Sequence, residues 1–248
     1  MTYFGQKDIM LEIAMGNIPG QSHINKFGSN PTIDDGTTEE IWDGSASYSF
    51  PATALITSMS QTADQLTMRG ATIEIQGLNS SWEAVTQTKA LDASSTTTVI
   101  TLDTALIRVF RAKVLANVVS TSPIRIHNAG ETVDYAIIQT GFNQTLMAIY
   151  TVPADKTAYI TSYYGDYVRD SVKDPDGIDI DLFVADRANS YEFQIKHQKG
   201  TPKQAPGFQH FFKPYMKVTE KSDIVLRGTP DGADAHIHAG FDLILVDN

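Results

Sequence analysis

The sequence predicts an all-β protein made of one or two antiparallel β-sandwich lobes of jelly-roll-like type. From Trp42 to Asn248, apolar residues alternate with polar or small ones, and the alternation never lengthens into a helical stripe. Turn compositions recur at a spacing of roughly 8–12 residues, which is typical of sandwiches and barrels. Residues 241–248 (FDLILVDN) have the pattern of a strand, so we expect the end of the chain to be held in a sheet.

Residues 1–41 differ from the rest and predict an extended N-terminal arm. Glycine and proline interrupt the segment, and no hydrophobic period persists in it. Only residues 8–15 (DIMLEIAM) have the pattern of a short helix or strand. A structureless segment of this length is unusual within a compact domain. The arm is therefore expected to dock on a neighbouring subunit or to form a disordered tail.

Residues 42–144 predict a first β-sandwich lobe. Residues 72–76 (TIEIQ) and 124–127 (IRIH) alternate strictly, so one face of each strand should be buried. Segment 102–116 fits a helix or a strand, and its β-branched and aromatic content favours the strand; segment 55–68 is similarly ambiguous. The candidate strands are residues 46–50, 55–59, 65–70, 71–76, 83–90, 96–102, 107–115, 123–128 and 135–138.

Residues 145–248 predict a second lobe. Its turns contain the Pro, Gly, Asn and Asp that tight turns require. No internal repeat relates the two lobes, so a single larger sandwich remains an alternative. The candidate strands are residues 146–152, 157–164, 178–185, 191–197, 208–212, 216–218, 223–227 and 235–246.

The composition disfavours several functional classes. The 248 residues include no cysteine, which excludes disulfides, thiolate nucleophiles and cysteine-based zinc sites. A formal net charge of -10 opposes binding to phosphates, so no direct nucleic-acid partner is expected. No apolar run reaches about 18 residues, and the first residues lack a signal-peptide pattern. We therefore expect assembly in a cytoplasm and no membrane partner.

Histidine and aspartate patterns provide the metal candidates. His236 and His238 are two apart on a predicted strand, so both imidazoles should face one side, where three chains could together supply six nitrogens. Asp174 and Asp176, followed by Asp179 and Asp181, cluster as calcium ligands do, but without the EF-hand spacing. Solvated strand faces and turns are the preferred interpretation of both patterns. The sequence therefore predicts no metal and no cofactor.

Catalytic motifs are missing, whereas aromatic residues are clustered. The sequence contains no phosphate-binding glycine loop and no nucleophile elbow, so no enzymatic activity is predicted. Residues 208–214 (FQHFFKP) form an aromatic patch that fits core packing, a subunit interface or sugar stacking. The residues predicted to contact other subunits are Phe27, Ile33, Trp42, Phe208, Phe211 and Phe212.

Four blocks together resemble a virion structural protein family of tailed, often marine, bacteriophages. They are residues 26–31 (KFGSNP) with 41–43 (IWD), 148–159 (AIYTVPADKTAY), 218–224 (VTEKSDI) and 241–248 (FDLILVDN). The second block is similar to that group's IYTVPAGKTAY segment, with Asp155 at the position of the glycine. None of the blocks carries a catalytic residue.

The resemblance implies a protein that is part of the virion, assembled in the host cytoplasm. A sheet-built acidic subunit with an arm fits a capsid decoration, or cement, protein that bridges major capsid subunits as a homotrimer or homodimer. A tail-associated or receptor-binding fibre or spike protein is the alternative. A virion-borne hydrolase acting on polysaccharide is a third hypothesis, which would require two carboxylates about 5–9 Å apart in a groove.

Overall fold

A computed structural model describes residues 8–44, 47–168, 174–203 and 207–248. Residues 1–7 of the predicted arm and Ala46 of a predicted strand lie outside these ranges. The described chain contains one α-helix, α1 (Ile9–Ala14), and a 3-10 turn (Leu66–Met68). Its strands are β1 (Gln21–Ile33), β2 (Glu39–Glu40), β3 (Ile56–Gln61), β4 (Thr72–Leu78), β5 (Ala84–Ala90), β6 (Ile100–Leu106), β7 (Arg108–Val114), β8 (Ile124–Asn128), β9 (Asp134–Ile138), β10 (Ile149–Thr151), β11 (Lys156–Val168), β12 (Gly177–Asp186), β13 (Gln194–Pro202), β14 (Phe208–Val218), β15 (Ser222–Asp231) and β16 (Ala235–Asp247).

The architecture is an antiparallel β-sandwich, as the sequence predicts, and its larger part is a jelly roll. One sheet, here the open sheet, has the order β1-β16-β11-β14, and the second, the covered sheet, has the order β10-β15-β12-β13. Numbered along the chain within this part, the two sheets read 1-8-3-6 and 2-7-4-5, which is jelly-roll order. Strand β2 adds to the covered sheet through β15.

Strands β3 to β9 form an insertion within the jelly roll. They make two further sheets, β6-β3-β8-β9 and β5-β4-β7. The insertion packs on one face of the covered sheet, as adjacent residues of β15 show by pointing into different cores. Ile224 and Leu226 lie in the jelly-roll core, whereas Val225 packs into the core of the insertion. At β15 the covered sheet is therefore buried on both faces, whereas most residues of its end strand β13 are exposed.

The predicted arm is wrong for β1, which is the first strand of the jelly roll. Strand β1 pairs antiparallel with β16 from Gln21 opposite Val246 to Asn30 opposite Ile237. The hydrophobic period is hidden because polar and small residues take its inward positions: Asn30 is buried and Gly28 lies against other backbone. Removing this segment would remove a strand from the protein's own core.

Both ambiguous segments contain strands, over most of residues 102–116 and over the first half of residues 55–68. Residues 102–116 contain most of β6 and the whole of β7, so the preferred strand interpretation is confirmed. Residues 55–68 contain β3 and then the 3-10 turn, and the strand predicted at residues 65–70 is therefore wrong. Residues 47–50 of another predicted strand also lie outside regular structure.

The turn between β10 and β11 explains one feature of the family resemblance. Asp155 has φ +58°, in the left-handed region that favours glycine, and glycine is the residue of the similar segment at this position. Its N–H donates to Glu220 Oε2 at 2.7 Å. The position therefore favours glycine and tolerates Asp, which can adopt the left-handed region.

We expect Asp155→Gly to keep or slightly raise the free energy of unfolding, and Asp155→Val to lower it by about 1–2 kcal/mol. A β-branched side chain at this φ collides with the following carbonyl, whereas Gly does not and Asp tolerates the region. Urea denaturation of the three proteins measures the difference. A valine variant as stable as the glycine variant would show that the turn is not left-handed.

Candidate interaction surface

The outward face of the open sheet is the surface most available to a partner. The covered sheet has the jelly-roll core on one side and the insertion on the other. On the open sheet, residues that alternate with the core positions point outward, such as Asn25, Tyr164 and Asp242. Among the described residues, α1 crosses this face. We call the outward face of the open sheet together with α1 the docking face.

Helix α1 places an exposed apolar surface on the docking face. Asp8 caps the helix by accepting from the N–H groups of Met10 and Leu11 at 3.0 and 3.4 Å. Ile13 is buried and anchors the helix. Ile9 and Leu11 remain 57% and 55% exposed. A six-residue helix with this exposure gains little from folding alone, so these side chains are available to a second protein.

Strand β14 supplies the aromatic part of the docking face. Phe208 and Phe212 point inward, where both rings contact Tyr163. Phe211 points outward and is 58% exposed, and Tyr215 is 46% exposed. The Tyr215 hydroxyl lies 3.9 Å from Met10 Sδ, which joins the aromatic part of the face to α1. Exposed aromatic side chains beside an apolar helix are typical of interface hot spots.

A polar network lies beside these apolar groups. The carboxylate of Asp242 accepts from Asn25 Nδ2 at 2.8 Å and from Ser162 Oγ at 3.1 Å. His23 Nε2 lies 3.2 Å from the same carboxylate. The side chains come from three neighbouring strands, so the network holds the outward face in one arrangement. Polar groups around an apolar centre set the register of an interface.

The two metal-candidate histidines do share one face, as predicted. The Nε2 atoms of His236 and His238 are 2.8 Å apart, and Ser29 Oγ lies 2.8 Å from His236 Nε2. His238 Nδ1 lies 3.5 Å from Asp166 Oδ1. They line a cavity of about 450 Å³ that also includes Phe27. Within the described residues, no group of three or more His, Asp or Glu side chains has the arrangement of a metal site.

The four aspartates do not form one cluster, because Asp174 and Asp176 pair with a lysine and Asp181 is buried. Lys203 Nζ lies 2.9 Å from Asp174 Oδ2 and 3.3 Å from Asp176 Oδ1, so a cation of the chain already occupies this pair. Asp179 is exposed, while Asp181 is buried. Burial first, and then the neighbouring Asp179, raise the pKa of Asp181 to about 6. The four carboxylates therefore do not share one solvated loop.

The structure corrects half of the predicted interface residues. Ile33, Trp42 and Phe212 are 0%, 2% and 8% exposed, so the prediction that they contact another subunit is wrong. Ile33 ends β1 and points into the jelly-roll core, and Trp42, which follows β2, packs into the core of the insertion. Phe212 lies on the inward face of β14. Phe208 is half-buried against the core. Phe27 and Phe211 are exposed and stay predicted contacts.

Ile9 and Leu11 belong to the arm that the sequence predicts to dock on a neighbouring subunit, whereas Tyr215 is not among the individual residues predicted to contact other subunits. Residues 8–15 have the pattern of a short helix or strand, but their sequence does not indicate which sheet the helix would cross. Tyr215 follows Lys213 and Pro214, and the proline obscures strand alternation. The signal that separates outward from inward aromatics on β14 is the two-residue period that continues from Phe208 to Phe212.

Comparison with models of known protein families and with curated proteins finds no match. One solved structure, the infectious bursal disease virus VP2 subviral particle, aligns with 96% of this chain and 81% of its own chain. The sequence identity is 10% and the TM-score 0.20. A similarity of this degree carries no weight for fold or function. No helix among the described residues is long and apolar enough to span a membrane.

Proposed function

We propose that this chain is a structural protein of a tailed-bacteriophage virion, and that it is a capsid decoration protein bound to the head through the docking face. The observation that carries the proposal is the exposed apolar face formed by α1, Phe211 and Tyr215 on a sheet whose other side is core. Its partner would be the major capsid protein, and its role would be to bridge neighbouring subunits without catalysis.

The positions of the resemblance blocks support the proposal. Residues 26–31 lie in β1, residues 148–159 span the turn from β10 to β11, and residues 218–224 join β14 to β15. The closing block, residues 241–248, lies mostly in β16. These four segments belong to the jelly roll, while residues 41–43 of the first block lie between β2 and β3, with Trp42 in the core of the insertion. A similarity concentrated in the framework is what a shared fold requires, and the insertion is then the variable part of the protein.

Attachment by this face follows ordinary interface energetics. Burial of exposed apolar surface contributes about 25 cal/mol per Å², and a stable interface covers about 800 Å² per partner. Phe211 and Tyr215 would form its centre, while Asn25 and Asp242 would form a polar rim. An oligomer, a homotrimer or homodimer in our proposal, would repeat these contacts over a symmetric lattice and so raise avidity.

We expect the double variant Phe211→Ser, Tyr215→Ser to lose incorporation into heads assembled without this protein. Truncating two hot-spot aromatics costs about 2–4 kcal/mol each, which reduces bound copies at least tenfold. Both side chains are exposed, so the variant should fold. Leu66→Ser, which changes a 76% exposed residue of the insertion, is the matched control. Sedimentation with purified heads, followed by counting copies in a particle map, measures incorporation.

Three outcomes separate the hypotheses. Loss of incorporation in the double variant but not in the control supports docking through this face. Equal incorporation of both variants would show that the capsid contact lies elsewhere. A wild-type protein present in a dozen or fewer copies at the tail would replace decoration by the tail or receptor-binding alternative. The outward-facing pair of His236 and His238 is the observation that favours that alternative.

A further inference from the structure

A basic cleft lies between the jelly roll and the insertion, and at β1 it adjoins the edge of the docking face, since His23 and Asn25 line both. Its volume is about 450 Å³, and it is bordered by β1 on one side and by β5 on the other. Lys26 points into it from the side of β1 opposite to Phe27, as strand alternation requires. Phe110 and Tyr150 form an aromatic wall, with ring centroids 4.9 Å apart. The cleft therefore combines an apolar surface with a buried cation.

The charge of Lys26 has little compensation within the protein. The side chain is 7% exposed, and its Nζ donates a hydrogen bond to Phe110 O; no carboxylate of the described residues forms an ion pair with it. Burial first, and then the charge of Arg111, lower the pKa of Lys26 to about 7. Arg111 itself donates to Gln144 Oε1 at 2.7 Å and lines the same cleft. Two cations converge here in a protein with a net charge of -10.

The cleft also has free backbone edges. Strand β1 is the end strand of the open sheet, and β5 is the end strand of its own three-stranded sheet. Ile24, Lys26 and Val85 line the cleft from these two strands. End strands present unpaired N–H and C=O groups, which an extended peptide can use to add a strand. The lining therefore fits a peptide better than it fits a compact anion.

We propose that this cleft binds an extended peptide segment through a carboxylate, which lies against Lys26 and Arg111, while an adjacent apolar side chain packs on Phe110 and Tyr150. The carboxylate is either a chain terminus or an Asp or Glu side chain. It would supply the anionic partner that the Lys26 ammonium lacks, since its acceptor among the described residues is the neutral carbonyl of Phe110, and Arg111 would add charge-assisted hydrogen bonds. The inference does not depend on the proposed virion role, because the cationic and aromatic groups that it uses take no part in the proposed capsid contact.

Several other ionisable groups face the cleft and enter its pH dependence. Lys156 of β11 forms an ion pair with Asp247, and His23 of β1 forms one with Asp242. Tyr150 of β10 is buried, and Glu74 of β4 contacts Lys113 beside Arg111. Lys156 and Glu74 each already have a partner of opposite charge, and His23 has the Asp242 carboxylate as a hydrogen-bond partner. Lys26 is the group whose protonation should change when a carboxylate binds.

The test uses the full-length protein and fluorescence anisotropy. The probe is a dye-labelled Ala-Val-Phe peptide with a free C-terminal carboxylate, and its control is the same peptide as the amide. A second pair, Ala-Val-Glu-Phe-amide and its Gln counterpart, places the carboxylate on a side chain. At a pH of about 6, where Lys26 is protonated, we expect at least one carboxylate peptide to bind about tenfold tighter than its neutral control.

Lys26→Met is expected to remove that preference, and Arg111→Gln to reduce it from about tenfold to about threefold. Lys156→Met, which changes a cleft residue paired to Asp247, is expected to change the affinity less than threefold or so. Wild-type affinity should fall as the pH rises from about 6 to about 8.5, and the Lys26→Met profile should be flat over that range. The two variants act on different strands, so one misfolded variant would not decide the result.

Three results would overturn the proposal. Binding of both neutral controls as tightly as the carboxylate peptides would show that the cations are not used. Undiminished binding by Lys26→Met and Arg111→Gln, or the absence of binding by all four peptides, would also reject the site. Competition by benzoate at the same concentration as the peptides would identify a small-carboxylate site and would exclude strand addition.

Discussion

Asp223→Ala should lower the free energy of unfolding by about 3–5 kcal/mol, because it leaves a buried arginine without its counter-ion. Asp223 is fully buried on β15 and Arg108 is 3% exposed on β7. The pair is bidentate, with Arg108 Nε at 2.7 Å from Oδ1 and an Nη at 2.8 Å from Oδ2. Arg187 and Thr151 donate to the same carboxylate at 2.8 and 2.7 Å. The carboxylate of Asp223 therefore accepts four hydrogen bonds from three residues.

This network also joins the two parts of the molecule. Arg108 belongs to the insertion and Asp223 to the jelly roll, and they are 115 positions apart. Arg108 also lies over the rings of Trp82 and Phe50, 5.0 and 5.5 Å from their centroids. We expect the Asp223→Ala variant to loosen the contact between insertion and jelly roll before the rest of the molecule unfolds.

Guanidinium denaturation measures the loss, and amide hydrogen exchange identifies where it occurs. Asp103→Ala is the matched control, because it breaks an exposed pair with Lys89 and should cost below about 1 kcal/mol. The double variant Arg108→Met, Asp223→Leu should recover part of the stability, since apolar groups replace the buried pair. A loss below about 1 kcal/mol for Asp223→Ala would mean that the network is solvated.

The second large effect is expected from Gly28→Ala, which should cost about 3 kcal/mol through steric overlap with backbone. A Cβ at Gly28 would overlap Ile41 O and Ala148 N. These atoms hydrogen-bond to each other at 2.9 Å, so neither can move without breaking that bond. Strand β1 would have to separate from the segment that leads into β10. Gly28 is also part of the block that resembles the phage family.

Thermal and urea denaturation of Gly28→Ala should show the loss together with unchanged far-ultraviolet β signal at low denaturant. Gly130→Ala is the matched control, since its Cβ would meet Thr132 Cγ2 at 3.7 Å, an ordinary contact. Such a change is expected to be neutral or stabilising by about 0.4–1 kcal/mol. Equal stabilities for the two variants would contradict the close approach of β1 to its neighbours.

How far sequence reasoning reaches is clear from β12 and β1. In β12, apolar Ile178, Ile180 and Leu182 alternate with other residues and point into one core, so alternation alone predicts both strand and face. In β1 the inward positions include Lys26 and Gly28, and alternation of hydrophobicity fails. Each of these residues has a long-range reason for its position, which local periodicity cannot contain.

The candidate site shows the same limit. Exposed and buried aromatics of β14 have the same side-chain chemistry, and their faces differ because Phe208 and Phe212 meet Tyr163 of another strand. The docking face further depends on α1, whose position across the sheet rests on contacts such as Met10 with Tyr215, 205 positions apart. Composition predicts that an aromatic patch exists, but packing decides which of its members reach solvent.

The sequence by itself determined the all-β class, the position of most strands and the acidic, cysteine-free character of the protein. Only the tertiary structure decided that β1 opens a jelly roll, that β3 to β9 form an insertion, and that Lys26 lies buried in a cleft. The physical reason is that side-chain alternation within a strand is local, with a period of two residues, whereas pairing between strands is not, as β1 and β16 show. The identity of the surface that covers each face depends on contacts between segments more than a hundred residues apart.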